Sequence, residues 1–180
     1  MTHVVPLPRN AITDPEMLEL MAAAEALGVP DDLFARIIAR APEQAKPLMR
    51  ALLMSHGEGS VDHRLKEIVR ILLARFAGDR YFAALRSRKA RAMGLDEDRI
   101  ESGCRHYEDS DLFTEAEKCA LRYADQMYLD ATKLDAALYA ELKTHFTEPQ
   151  IMELGAFIAL HYGMQMFMRS VGTAASREAR

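Results

Sequence analysis

Three groups of residues have types and spacings that could do chemistry. His161, Gln165 and Arg169 recur every four residues in a segment otherwise built from Ile151, Leu154, Phe157, Ile158, Leu160, Met164, Met166 and Phe167, so on a helix they form one polar stripe. A buried polar side chain is costly without a partner, and such a stripe must line a cavity or a subunit contact. His161 is then either a hydrogen-bonded core histidine or a proton carrier. His63, Glu67 and Arg70, at spacings of four and three, share one side of a second helix, as a solvated charge stripe or as a carboxylate placed to move protons. His3, His56, His106 and His145 fall near turns or chain ends and His63 opens its helix, which leaves His161 as the histidine expected to carry a proton. The third group is basic: Arg75, Arg80, Arg86, Arg88, Lys89 and Arg91 stand against the single acid Asp79. They form a solvated face that pairs with neighbouring acids, or a place for an anion.

Metal and thiol chemistry find little support in the spacing. No H-E-x-x-H or C-x-x-C occurs, and His161 has no ligating residue three or four positions on, so no metal and no cofactor are expected. Cys104 and Cys119 are fifteen residues apart with no Cys/His cluster around them, which excludes a disulfide framework and a zinc finger. Both are expected to act as small apolar packing residues.

The elements that would position these groups are helical. Asp14-Pro15 is a cap followed by proline at the first helical position, and Met17, Leu18, Met21 and Leu27 follow before Gly28. Asp31 opens a segment with Leu33, Phe34, Ile37 and Ile38 on one face, and Pro42 opens another with Leu48, Leu52 and Leu53. Ser60 is expected to cap a core helix carrying Leu65, Ile68, Val69, Leu72, Leu73 and Phe76 to Gly78, and a second helix is expected from Arg80 to Met93, closed by Gly94. The two make a helix-turn-helix hairpin. Thr114-x-x-Glu117 and Thr147-x-x-Gln150 fit the capping-box template, and Leu134, Leu138 and Leu142 predict a helix between them after a turn at 130–133. Strand-like alternation is missing, so the fold class is all-α, a single-domain helical bundle of 180 residues.

Composition agrees and narrows the partners. With 49% hydrophobic and 28% charged residues, 9 Gly and 7 Pro, the chain lies far from disordered sequences. A net charge of −4 gives no general basic field for nucleic acid. The first ten residues lack a charged segment followed by an apolar run, and residues 151–168 are interrupted by Glu153, His161 and Gln165, so a cytoplasmic protein with no membrane span is expected.

Two blocks read together carry a family likeness. The first is Arg64-Leu65-Lys66-Glu67, Ala74-Arg75, Gly78, Tyr81, Ala90 and Gly94, and the second is Leu112 through Glu117, Ala120-Leu121, Tyr123-Ala124-Asp125, Phe146-Thr147, Gln150-Ile151 and Glu153-Leu154. The pattern resembles the carboxymuconolactone decarboxylase family in its broad sense, which includes the alkylhydroperoxidase D-like proteins. The likeness spans residues 30–171, leaving 1–29 as a helical extension and 172–180 as a tail expected to be flexible. It implies a homo-oligomer, a dimer, trimer or hexamer.

The redox branch of that family uses a glutamate, a C-x-x-C pair and a histidine four residues beyond it. Transferred residue by residue, these fall on Glu67, on Asp79 and Phe82, and on Arg86. Asp79 and Phe82 cannot be oxidised and a guanidinium cannot act as a base, so the resemblance implies the scaffold without the peroxidase. It also places Glu67 towards a cleft. The leading expectation is a cofactor-independent decarboxylation or isomerisation of a small anionic metabolite, with Glu67 and His161 moving protons and Arg86, Tyr81 and Arg169 binding the substrate. A non-catalytic ligand-binding or assembly module on the same scaffold is the alternative, and a peroxidase using Cys104 or Cys119 is a third.

Overall fold

Short-range capping rules account for most of the helix starts. The computed structural model describes residues 2–173 and contains ten α-helices and no strand among them. Asp14 accepts from the Met17 amide at 2.9 Å to start α1 (Pro15–Leu27), and Gly28, at φ 88°, ends it in the left-handed region where a Cβ would be strained. Asp31 caps α2 (Asp32–Ile38) and proline starts α3 (Pro42–Gly57). Then come α4 (His63–Phe76), α5 (Arg80–Ala84), α6 (Arg88–Ala92) and α7 (Glu97–Arg105). Both expected capping boxes form, on Thr114 for α8 (Glu115–Asp130) and on Thr147 for α10 (Glu148–Ser170). α9 (Ala136–His145) lies between them, with Leu142 buried.

Two starts differ from the sequence expectation. α4 is capped by Asp62, which accepts from the Arg64 amide, whereas Ser60 donates to the Glu153 carboxylate. The expected single helix from Arg80 to Met93 is two short ones, parted by extended backbone at Leu85 and a new cap at Ser87. Arg70 causes the break: its guanidinium donates to the carbonyls of Phe82 and Leu85, both at 2.8 Å, and holds the backbone open between α5 and α6.

α4 is the axis of the molecule. From Leu65 to Ala74 every residue is buried, because α3, α5, α6, α7, α8 and α10 surround it. One apolar core packs Leu65, Ile68, Val69 and Leu72 against Leu121, Leu154, Phe157 and Ile158. A second joins Met17, Met21, Phe34, Ile37, Met49 and Leu52 to Leu85 and Met168. Among the described residues no helix is long and apolar enough to cross a membrane. Of the tail expected to be flexible, residues 174–180 lie outside the described residues.

Candidate functional site: a buried carboxylate and histidine cluster

A helix enclosed on all sides cannot keep Lys66, Glu67 and Arg70 unless each is paired, and the pairing builds the site. Glu67 is 1% exposed. Its Oε2 accepts from Arg70 Nε at 2.8 Å and its Oε1 from Arg70 Nη2 at 2.9 Å and from the Ser87 amide at 2.8 Å. His56 Nε2, from the end of α3, lies 3.0 Å from Oε2, though without hydrogen-bond alignment. Burial alone would push the Glu67 pKa up, but the Arg70 charge and hydrogen bonds, with a contribution from His56, hold the carboxyl well below the usual range. With its pKa lowered and both oxygens engaged it is an anion at neutral pH and a poor base there.

Three histidines close over this pair. His63 Nδ1 lies 2.5 Å from the His56 carbonyl, an acceptor only, so Nδ1 carries the proton and Nε2 accepts from the Ser87 hydroxyl at 2.7 Å. Ser87 Oγ in turn accepts from the Ala90 amide and caps α6. Ser55 Oγ donates to the Leu52 carbonyl and so receives from His161 Nε2, at 3.4 Å. The ring centroids of His56 stand 4.6 Å from His63 and 5.4 Å from His161, and His161 stacks on Phe157 at 4.1 Å. Desolvation lowers all three pKa values, that of His63 to about 4, so the imidazoles are neutral at pH 7. His56 Nδ1 is buried and has no partner among the described residues.

A second ion pair staples the same end. Lys66 Nζ donates to the carbonyls of Ser55 (2.9 Å) and Glu58 and to Glu153 Oε1 (2.9 Å). Glu153 also accepts from the amides of Ser60 and Val61, which ties the turn after α3 to α10.

The structure brings together Glu67 and His161, but not the rest of the expected set. Arg86 turns away from Glu67 and stays mostly buried, donating to Glu97 from Nε and Nη2 and to the carbonyls of Ala83 and Leu85 from Nη1. Arg70 takes the place beside Glu67 that Arg86 was expected to share. Tyr81 is buried and donates to the Asp31 carboxylate. Arg169 is exposed, because a four-residue repeat drifts around the helix: His161 and Gln165 face inward and Arg169 does not. The basic segment pairs with neighbouring acids, Arg75 with Glu101 and both Arg86 and Arg91 with Glu97. Among the described residues no cluster of His, Cys, Asp and Glu could hold a metal.

The two positions that the resemblance assigns to thiols carry structural residues. Asp79 Oδ1 caps α5 by accepting from the Phe82 amide at 3.0 Å, and the Phe82 ring packs edge-on against Phe34. Cys104 and Cys119 are unpaired, and burial pushes both thiols up to about 11, away from the thiolate that peroxide chemistry needs. His56, Ser87 and the Lys66–Glu153 pair had no place in the sequence expectation. A signal for His56 existed: Ala45, Met49, Leu52 and His56 follow the 4-3-4 spacing of one buried face.

No family model and no curated protein matches the chain. Solved structures do match. The debrominase Bmp8 in complex with 2,3,4-tribromopyrrole superposes with a TM-score of 0.80 at 19% identity, over 98% of this chain and 95% of that one. A peroxidase-related protein from Silicibacter sp. TM1040 gives 0.75 at 15% identity, over 93% and 88%. A protein of unknown function from Agrobacterium tumefaciens, grouped by its description with the AhpD antioxidant-defence proteins, gives 0.64 at 18% identity, over 76% and 92%. The chain has the alkylhydroperoxidase D-like all-α fold. At these identities the likeness speaks for the scaffold alone.

Proposed function

We propose that this chain is a thiol-independent ligand-binding or assembly module on the alkylhydroperoxidase D-like scaffold, with a small anionic molecule as its ligand and copies of itself as its partner. One observation carries the reading: both oxygens of Glu67 are engaged by Arg70 and the Ser87 amide, so the one redox residue retained holds helices together. The raised thiols of Cys104 and Cys119 support it, and two unpaired cysteines suit a reducing cytoplasm. Assembly is supported by the outer face of α10, where Met152, at 71% exposure, and Met166, at 46%, flank the exposed small residues Ala156, Ala159 and Gly163.

The test is to incubate the protein with hydroperoxides, muconate-type acids and 2,3,4-tribromopyrrole, following turnover and thermal shift together. The reading expects stabilisation by one class of small anion with no product formed, and sedimentation as a dimer or larger. Catalytic turnover that survives Cys104→Ser with Cys119→Ser but fails in Glu67→Gln would overturn it.

A second reading, a decarboxylase or isomerase, is favoured by the unpartnered Nδ1 of buried His56, whose other nitrogen faces the Glu67 carboxylate. The charge of a neighbouring carboxylate stabilises the imidazolium that forms when such a base takes up a proton. In that case turnover of a muconate-type acid disappears in His56→Gln and His161→Gln and persists in Arg86→Ala.

A further inference from the structure

The core that joins the N-terminal helices to the end of α10 leaves a half-open pocket there, sharing no residue with the Glu67 cluster. Ile37, Ile38, Leu48, Phe167 and Val171 line a space of about 230 Å³ whose surface is almost wholly apolar. The pocket is half open, so water in it meets apolar walls and an apolar group that displaces that water removes apolar surface from solvent. Two polar side chains lie at its edge. Arg40 and Gln44 are both exposed and line the pocket through their carbon chains, which leaves their polar ends outside its apolar surface. Arg40 Nε donates to the Val5 carbonyl at 2.5 Å, which anchors the side chain to the N-terminal segment. No carboxylate pairs with Arg40 among the described residues, although Arg9, Arg36, Arg50, Arg75, Arg86 and Arg122 are each paired with an acid.

We propose that this cavity binds a monocarboxylate with an aliphatic tail, the tail in the apolar space and the carboxylate at the rim against the Arg40 guanidinium and the Gln44 amide. The division of labour follows from the physics. Each methylene removed from water strengthens binding about fourfold, whereas a solvent-exposed ion pair adds a factor of roughly five at most. The tail drives binding and the headgroup orients it. Keeping the carboxylate at the rim avoids burying a charge, which a wholly apolar cavity could not stabilise. The inference rests on the reading of the chain as a ligand-binding module and names the ligand class.

The experiment is isothermal titration of the full chain with acetate, butanoate, hexanoate, octanoate and decanoate, and with hexan-1-ol. The proposal expects one saturable site, affinity rising about fourfold per methylene and then levelling as the cavity fills, and hexan-1-ol binding two- to fivefold more weakly than hexanoate. Arg40→Gln should bring the acid and the alcohol to equal affinity. Ala41→Phe and Val4→Trp, both at the partly exposed edge of the cavity, should each weaken hexanoate at least tenfold while the unliganded protein keeps its melting temperature. Affinity that climbs without levelling, or is untouched by both occluding variants, or is equal for acid and alcohol in the unaltered chain, overturns the proposal. So does a change of sedimentation in Ala41→Phe, which would make a second copy the occupant. Product formation in the turnover assay would overturn the module reading instead and leave the titration result standing.

Discussion

Glu67 and Arg70 form a buried pair in which each group makes the other tolerable. Removing one partner of such a pair leaves a charge stranded in the core, which costs about 3–5 kcal/mol, whereas replacing both by apolar groups of similar size costs much less. Glu67→Gln is expected to lower the unfolding free energy by about that amount, and Glu67→Gln with Arg70→Met to recover part of it, as read by urea denaturation at neutral pH. The histidines make stability depend on pH. An unfolded histidine takes up its proton near 6.5, while His63 in the fold stays neutral down to about 4, so the unfolded chain holds more protons across that window. Stability therefore falls as the pH drops from 6.5 towards 4, by up to about 1.4 kcal/mol per pH unit for each proton. His56 and His161 act in the same direction, and Glu67 adds to it below the ordinary carboxyl value of 4.5, because its lowered pKa supplies stability that is lost only on acidification. Denaturation midpoints at a series of pH values check this, and His63→Gln should flatten the profile. A midpoint constant from pH 7 to 4 would contradict the burial of these groups.

Helix starts set by local chemistry were legible in the sequence, and the feature set by distant chemistry was not. Asp14-Pro15, Asp31 and both capping boxes act over three or four residues, and all appear where the residues place them. The break between α5 and α6 depends on a guanidinium from α4, and within residues 80–93 only the cap residue Ser87 marks it. The cap on α4 moved from Ser60 to Asp62 for a similar reason: Glu153 on α10 takes the Ser60 amide and hydroxyl. The turn after α3 is therefore held by tertiary contacts. Gly59 sits there at φ 97°, and a Cβ added to it would overlap the Glu153 carboxylate. Gly59→Ala combines left-handed strain with displacement of that carboxylate and is expected to destabilise by about 1–3 kcal/mol. A melting temperature within a degree of the unaltered chain would show the turn to be free of Glu153.

At the scale of the molecule, the fold is alkylhydroperoxidase D-like, and the residues that fall where the resemblance assigns redox chemistry have structural tasks. The positions assigned to thiols hold a helix cap and a core ring, the one assigned to histidine holds a mostly buried cation paired with Glu97, and Glu67 anchors α4 to the backbone between α5 and α6. Candidate residues could be named from the sequence, because Glu67 and His161 stand out by spacing. Their company could not, since Arg70 and Arg86 are equally plausible partners until the break after α5 leaves Arg70 on Glu67 and sends Arg86 to Glu97. The most direct test of this account is the ionisation of Glu67, followed by carbon NMR of its labelled carboxyl as the pH is lowered. A structural anion stays ionised down to the pH at which the fold itself is lost. A proton-transferring glutamate would titrate at about pH 6–7 in the folded protein, and that midpoint would contradict the account.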